Sequence, residues 1–206
     1  MADPYFYAVE DGHDLIASPL RAIIAPRPIA WVSTVSAAGV VNLAPYSFFN
    51  MISERPPMLV IGSDGWKDTV ANIDATGEFV VNSVGRPMAE QMNLTSLSYP
   101  EGSSEAAEAG IALAPSRLVR APRVAGAPAS LECRLIGIDR MVDIDGAPTA
   151  TRLIKGQIVG VHIAAHALRD GRYDALAAKA IGRCGYRGDY FEVSQMFEMI
   201  RPGSPP

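Results

Sequence analysis

The chain has 206 residues, of which 49% are hydrophobic and 19% charged, a length and composition that fit a single domain over residues 1–206. Its formal net charge is −4 and it has no block of basic residues, which argues against binding to nucleic acid or to an anionic membrane surface. No apolar run approaches the roughly 20 residues of a membrane-spanning helix, and residues 1–10 lack the basic and apolar regions of a signal peptide. We therefore expect a cytoplasmic protein with an N-terminal arm over residues 1–17 and a frayed tail over 201–206.

Short strands and turns dominate the first half of the chain. Residues 29–35 and 40–43 predict a β-hairpin around the small residues 37–39. Residues 58–61 predict a short buried strand, which the small and polar residues 62–65 should end. A helix is expected over 67–76 with Gly77 as its stop, followed by a strand over 78–83 and a short helix over 87–94.

The second half continues this pattern after a segment of small residues, 98–110, which is either an ordered excursion or a mobile lid. Two longer alternating strands, 129–142 and 153–164, flank an Asp-Gly turn signal, and a short helix is expected over 174–180. No G-x-G-x-x-G fingerprint and no P-loop is present. Many short strands with few helices predict a mainly β fold, an antiparallel barrel rather than a βαβ sheet.

The cysteines and histidines form no recognisable metal or redox motif. Cys133 and Cys184 fit neither a zinc motif nor a disulfide framework, so both are expected to be reduced. His162 and His166 are four residues apart, but four residues of a strand span about 13 Å. We therefore expect no metal site.

Residues 42–50, NLAPYSFFN, combine flat apolar side chains with polar groups. Rings and a few hydrogen-bonding groups are what a planar heteroaromatic ligand requires of its site. Pro45 is unusual in the middle of a strand, and the segment is equally consistent with an aromatic core strand that carries a bulge. From the residues alone, both interpretations stay open.

Lys67, Asp68 and Thr69 lie at the start of the first predicted helix. Free N–H groups at a helix N-terminus, together with Lys67 and the Thr69 hydroxyl, are suited to a phosphate group. In the alternative interpretation, Asp64 or Asp68 caps the helix and Lys67 is solvated. Arg27 and Arg183 are further isolated cations beside small or hydroxylic residues.

Several of these segments, in order, resemble the flavin reductase-like domain family. PRPIAWVSTV at 26–35 resembles the opening of the family, and NLAPYSFF at 42–49 resembles its signature. PP at 56–57, KDT at 67–69 and EFVVN at 78–82 are similar to the blocks that follow. GRCGY at 182–186 with Tyr190 is similar to its C-terminal element, although Cys184 and Gly185 stand where the family has two glycines. The resemblance spans residues 18–190.

This resemblance implies a split antiparallel β-barrel of Greek-key type, with a few short peripheral helices, which forms a homodimer with FMN near the interface. Residues 44–49 would line the isoalloxazine ring and ribityl chain, and Ser47, Lys67, Thr69 and Arg27 would hold the phosphate. Asn82 and Arg183 would complete the pocket, with Thr34 as a further contact. The implied cofactor-binding residues are Arg27, Thr34, Asn42, Ala44, Pro45, Tyr46, Ser47, Phe48, Phe49, Lys67, Asp68, Thr69, Asn82 and Arg183.

The favoured function is that of an NAD(P)H-dependent flavin reductase. Because a bound flavin carries the hydride at N5, no side chain is predicted to act as a catalytic acid, base or nucleophile. The alternatives are a flavoredoxin-like electron carrier that holds FMN as a prosthetic group, and a non-catalytic barrel that binds a flavin or another planar ligand. A pyridoxamine-phosphate-oxidase-like enzyme shares the barrel and FMN but fits the motifs less well. The sequence does not distinguish NADH from NADPH.

Overall fold

The computed structural model describes residues 3–100 and 102–203, so the ends of the predicted N-terminal arm and C-terminal tail, and residue 101 of the segment 98–110, lie outside it. In chain order, the strands are β1 (Arg27–Pro28), β2 (Ala30–Val35), β3 (Val41–Tyr46), β4 (Phe49–Glu54), β5 (Pro57–Asp64), β6 (Glu78–Asn82), β7 (Leu113–Ala114), β8 (Arg123–Val124), β9 (Ala129–Val142), β10 (Pro148–Ile163), β11 (Leu168–Arg169), β12 (Arg172–Tyr173), β13 (Ile181–Arg183) and β14 (Tyr190–Glu192). The α-helices are α1 (Leu20–Ile23), α2 (Asp68–Thr76), α3 (Ala89–Leu94) and α4 (Glu105–Glu108).

Seven of the strands form one antiparallel sheet in the order β3-β2-β6-β9-β10-β5-β4. Only Ser47 and Phe48 separate β3 from β4 in the chain. Because these two strands lie at opposite edges of the sheet, a connection of two residues requires the sheet to curl until its edges approach each other. The result is a barrel that is split between β3 and β4, and the predicted fold class is confirmed.

The barrel interior is filled by alternate residues of its strands. Ala30 and Val32 of β2 face inward and pack with Ile61, Phe79 and others, while Trp31 points to a second apolar cluster outside the barrel. This alternation is the period of two expected for a strand with both faces buried. Helix α2 closes one end of the barrel with Val70 and Ile73, which are fully buried.

Three local predictions differ from the structure. Residues 62–65 do not end the strand at 61, because backbone pairing with β10 carries β5 to Asp64 before Gly65 turns at φ 90°. Strand β4 was not predicted. Residues 174–180 form hydrogen-bonded turns rather than a helix, since Lys179 adopts a left-handed conformation with φ 49° that interrupts a helix.

A smaller sheet, β1-β13-β14, lies beside the barrel and positions the remaining predicted cations. In its register, the Cα atoms of Arg27 and Arg183 are partners. Within the described ranges 3–100 and 102–203, no helix has the length and apolar character required to cross a membrane.

Candidate functional site

A cleft with a volume of about 590 Å³ opens at the split of the barrel, between the end of β3 and the start of α2. Residues 95–99, which follow α3, form its opposite wall together with the first residue of α4. The residues that line it are Asn42, Ala44, Pro45, Tyr46, Ser47, Phe48, Gly62, Asp64, Lys67, Asp68, Thr69, Thr95, Ser96, Leu97, Ser98, Tyr99 and Glu105. Nine of the fourteen predicted cofactor-binding residues are therefore brought together in one cleft.

Buried polar groups form the floor of the cleft. Asn42 Nδ2 donates a 2.9 Å hydrogen bond to Thr69 Oγ1, and both residues are buried. Burial raises the pKa of the nearby Tyr46 phenol, while the Thr69 and Ser63 hydroxyls act in the opposite direction. Tyr46 therefore keeps its proton at physiological pH and can present a hydroxyl group to a ligand.

Helix α2 points its N-terminus into the cleft. Lys67 is the N-cap residue, and no side chain in the described part of the protein caps the helix. The N–H groups of the first turn are therefore available to an acceptor, and the helix dipole adds partial positive charge. The cleft also contains the carboxylates of Asp64, Asp68 and Glu105. Lys67 and the helix N-terminus are therefore the groups that favour an anionic ligand in the cleft, and the three carboxylates, which include the first residue of α2, oppose it.

Phe48 forms the apolar rim of the cleft and is 56% exposed. Its carbonyl accepts a 2.7 Å hydrogen bond from Gly62 N, and a Cβ atom at Gly62 would lie 3.1 Å from Phe48 Cβ. The glycine lets β5 approach the bend between β3 and β4. An exposed aromatic ring beside buried hydroxyl and amide groups is suited to a flat ligand with a polar edge.

The opposite wall is attached to the barrel by two long-range hydrogen bonds. Leu43 N, on edge strand β3, donates a 2.9 Å hydrogen bond to Glu105 Oε2. Trp31 Nε1 donates a 2.9 Å bond to Thr95 Oγ1. Burial raises the pKa of the Glu105 carboxyl, and the Leu43 N–H acts against it. Residues 95–99 and 105 thus form an ordered wall of the cleft.

Comparison with known proteins identifies the family. The sequence profile of the flavin reductase like domain matches residues 22–177. A Deinococcus radiodurans protein is 39% identical over 194 residues, which cover 88% of this chain and 82% of the relative. The chain belongs to the flavin reductase-like domain family. The resemblance predicted from the sequence motifs is confirmed.

Two solved structures extend this likeness over the whole fold. Nitrilotriacetate monooxygenase component B from Bacillus cereus is 30% identical, with a TM-score of 0.82 over 97% of this chain and 98% of that chain. The 2-nitrobenzoate 2-nitroreductase from Pseudomonas fluorescens is 32% identical, with a TM-score of 0.78 over 91% and 90%. Membership in the flavin reductase-like family supports a flavin as the ligand and oxidoreductase chemistry as the class of activity.

Five of the predicted cofactor-binding residues are not among the residues that line the cleft in one copy of the chain. Asn82 is fully buried and uses its amide within the fold: it donates to Trp31 O at 2.9 Å and accepts from Val124 N at 2.9 Å. Thr34 is fully buried and accepts a 3.1 Å hydrogen bond from Asn72 Nδ2. Both support the walls of the barrel, and a direct contact with flavin stays a prediction.

The other three, Arg27, Arg183 and Phe49, also lie outside the residues that line the cleft. Arg27 is buried, and its guanidinium donates hydrogen bonds to the carbonyls of Arg21 and, at 2.6 Å, Ile24. The Arg183 guanidinium carbon lies 4.6 Å from the centre of the Tyr190 ring. Phe49 packs against the barrel core and lines an apolar groove outside the cleft. Their role in flavin binding also stays a prediction.

The sequence did not reveal the residues of the opposite wall. Glu105 contacts Leu43 from 62 positions away, and Thr95 contacts Trp31 from 64. Residues 98–110 were predicted to be either an ordered excursion or a lid, and no periodic signal in their small residues indicates which barrel edge they meet. Only the placement of α3 and α4 against β3 brings these side chains to the cleft.

Proposed function

We propose that this protein binds FMN in the cleft and acts as an NAD(P)H-dependent flavin reductase. The observation that carries the proposal is a single cleft that is lined by the uncapped N-terminus of α2 with Lys67 and also by Tyr46 and the exposed ring of Phe48. The helix N-terminus and Lys67 are suited to a phosphate group, and the aromatic side chains are suited to a planar ring. A site of this composition therefore has the groups that FMN requires.

In this proposal the protein's own residues bind and orient the ligand. Ser47, Lys67 and Thr69 hold the phosphate, and residues 44–48 lie along the ring and ribityl chain. The chemistry that a bound flavin supplies is hydride acceptance at N5 from a reduced nicotinamide. Tyr46, which stays protonated, donates a hydrogen bond to a polar edge of the ligand.

We further propose that two copies of the chain associate over the apolar surface that adjoins the cleft. Phe48, Met51 and Ile52 near edge strand β4, with Val161 and Ile163 of β10, are each at least 41% exposed. Phe49, Val161 and Ile163 line a single groove of about 380 Å³. Contiguous apolar area of this kind marks a protein interface. An exposed edge strand also needs a cover to prevent unspecific pairing.

In this proposed dimer, Arg183 of one copy contacts the phosphate that is bound in the cleft of the other copy. It stacks on Tyr190, and among the described residues no carboxylate forms a salt bridge with it. The cleft of one chain has Lys67 as its cation against three carboxylates. A second copy that brings its arginine to the cleft would supply the positive charge that a phosphate dianion requires.

The decisive experiment combines an absorbance spectrum with anaerobic turnover. We expect the purified protein to bind FMN, and excess free FMN to be reduced over many cycles when NADH or NADPH is added. If FMN stays bound and each site oxidises one nicotinamide only, the protein is instead the flavoredoxin-like carrier. If neither FMN nor riboflavin binds, the flavin proposal is wrong and the non-catalytic barrel stands.

The dimer has its own test in sedimentation equilibrium. The wild-type protein should have twice the mass of one chain, and Ile52→Asp should shift it to the monomer while the fold is retained by circular dichroism. A wild-type monomer that binds FMN fully would contradict the shared interface without affecting the flavin proposal.

A further inference from the structure

An exposed tryptophan, Trp66, directly precedes Lys67, which lines the proposed flavin cleft. Trp66 is 54% exposed, whereas the other tryptophan of the chain, Trp31, is completely buried. The guanidinium carbon of Arg152 lies 5.8 Å from the centre of the Trp66 ring. Arg152 Nη1 also donates a 3.0 Å hydrogen bond to Ala150 O, which restrains the guanidinium beside the ring. A large aromatic surface is thus held at the surface with much of its area in water.

The position of this pair connects it to the phosphate end of the cleft. Trp66 directly precedes Lys67, and both follow the end of β5. In the pairing of β10 with β5, Arg152 is opposite Ser63 and Thr151 is opposite Asp64, which lines the cleft. Arg152 therefore lies beside the ring, and Lys67, the next residue in the chain, lines the cleft.

We propose that Trp66 and Arg152 bind the adenosine diphosphate portion of a dinucleotide, an inference that rests on the proposed flavin function of the adjoining cleft. A purine ring stacks on an exposed tryptophan because both present π faces. Arg152, which lies beside the ring, can pair with the diphosphate of the same ligand. The carboxylates of Asp64 and Asp68 lie on the cleft side, so the diphosphate is expected on the side of the ring that carries Arg152.

Two dinucleotides contain this group: FAD, bound in place of FMN, and the reduced nicotinamide dinucleotide that donates hydride. Both would place their reactive ring in the cleft and their adenosine diphosphate outside it. In the proposed flavin site, Lys67 holds the single phosphate of FMN, and Trp66 is the residue next to Lys67 in the chain, with Arg152 beside its ring. The shared chemistry of the site is therefore adenine stacking next to a diphosphate.

Free ADP is the direct probe. Trp66 is exposed and Trp31 is fully buried, so acrylamide should quench the fluorescence of Trp66 alone. ADP that stacks on Trp66 should quench this same acrylamide-accessible fraction of the tryptophan fluorescence. By calorimetry, ADP binding should weaken about tenfold or more in Trp66→Ala, but by less than about threefold in Trp66→Phe, which keeps a ring. Arg152→Gln should weaken the binding of ADP more than the binding of adenosine, which has no phosphate. Arg172→Gln, on β12, is the control and should leave the affinity for both ligands unchanged. Unchanged fluorescence at millimolar ADP, or equal affinity of Trp66→Ala, would overturn the proposal.

Two further measurements distinguish the source of the group. If the adenosine diphosphate group belongs to FAD, the wild type binds FAD more tightly than FMN, and Trp66→Ala removes this difference in affinity. If the electron donor supplies it, Trp66→Ala raises KM for the dinucleotide but not for reduced nicotinamide mononucleotide. If neither quantity changes, the assignment to a dinucleotide is wrong. FMN titrations of the same samples test the flavin proposal separately, since a wild-type protein that binds ADP but no FMN would contradict only that proposal.

Discussion

Asn42 and Thr69 join the edge of the barrel to the first turn of α2. Asn42 Nδ2 donates a 2.9 Å hydrogen bond to Thr69 Oγ1 across 27 residues of sequence, and the two residues are 7% and 1% exposed. Since water does not reach either group freely, removing the Thr69 hydroxyl leaves the Asn42 amide desolvated and without this partner, at a cost of about 1–3 kcal/mol. The bond therefore fixes the floor of the cleft as well as the fold.

Thr69→Val, which keeps the shape of the side chain, should lower the free energy of unfolding by about 1–3 kcal/mol and weaken FMN binding. Thr69→Ser keeps the hydroxyl, so its losses of stability and of FMN affinity should be much smaller. The double variant Asn42→Leu with Thr69→Val should lose less than the sum of the single variants, because neither partner is then left unpaired. Urea denaturation and flavin titration measure both effects, and strict additivity would show that the bond contributes nothing.

Lys67→Ala should weaken FMN binding by about 1–3 kcal/mol because it removes a charged donor from the phosphate end. Riboflavin, which has no phosphate, should bind the variant as it binds the wild type. Lys155→Ala provides the comparison, since that lysine pairs with Asp139 at 2.7 Å on the barrel hairpin and should leave FMN affinity unchanged. An unchanged FMN dissociation constant in Lys67→Ala would remove this residue from the site.

Local patterns in the sequence predicted the parts of the fold that depend on neighbouring residues. The alternating segment 129–142 is β9, and α2 ends at Gly77 with φ 70°, as a glycine after the helix indicates. Pro45 lies inside β3 because that strand is at the edge of the sheet, where a missing N–H does not interrupt a ladder on both sides. Strand β3 pairs with β2 in an unbroken register from Val41 to Tyr46, without the bulge that one interpretation expects. Its residues also line the cleft, and a planar ligand there stays a prediction.

The rest depends on contacts between distant segments. Glu105 lines the cleft because its carboxylate accepts a hydrogen bond from the backbone N–H of Leu43 on the edge strand. The residues adjacent in sequence to Glu105 or to Leu43 do not indicate this contact. The family resemblance implies a phosphate contact for Arg27 and a place in the flavin pocket for Arg183. In a single chain they are instead partners in the sheet β1-β13-β14. A contact of these arginines with flavin depends on the proposed dimer, which the sequence of one chain does not describe.

A glycine inside the barrel tests the close packing of the core. A Cβ atom at Gly156 would lie 2.9 Å from Phe79 Cε1 and closer still to Cζ, and Phe79 is completely buried. Gly156→Ala should therefore lower the free energy of unfolding by about 1–3 kcal/mol. At Gly137, on the paired strand, the new atom would meet only the flexible end of Lys155, at 3.6 Å. Equal loss of stability in Gly137→Ala, measured by urea denaturation, would contradict the packing argument.

Glu132 carries a pH-dependent part of the stability. It is fully buried, which by itself favours the neutral acid. Hydrogen bonds from Arg117 N (2.7 Å), His162 Nε2 (2.5 Å) and Leu118 N (2.5 Å) outweigh that effect and hold its pKa below the ordinary value of 4.5. A carboxyl with a lowered pKa stabilises the folded state above its unfolded pKa, and this contribution is lost as the pH falls through the folded pKa.

The wild type should therefore lose stability as the pH decreases from about 4.5, and Glu132→Gln should be less stable than the wild type at neutral pH by about 1–3 kcal/mol. The difference between the two proteins should shrink in acid, because the wild-type carboxyl becomes neutral there as well. Urea denaturation at several pH values measures both curves. Glu198→Gln, at an exposed position in the C-terminal segment, should follow the wild type throughout. A difference that stays constant from neutral to acidic pH would show that the charge of Glu132 does not stabilise the fold.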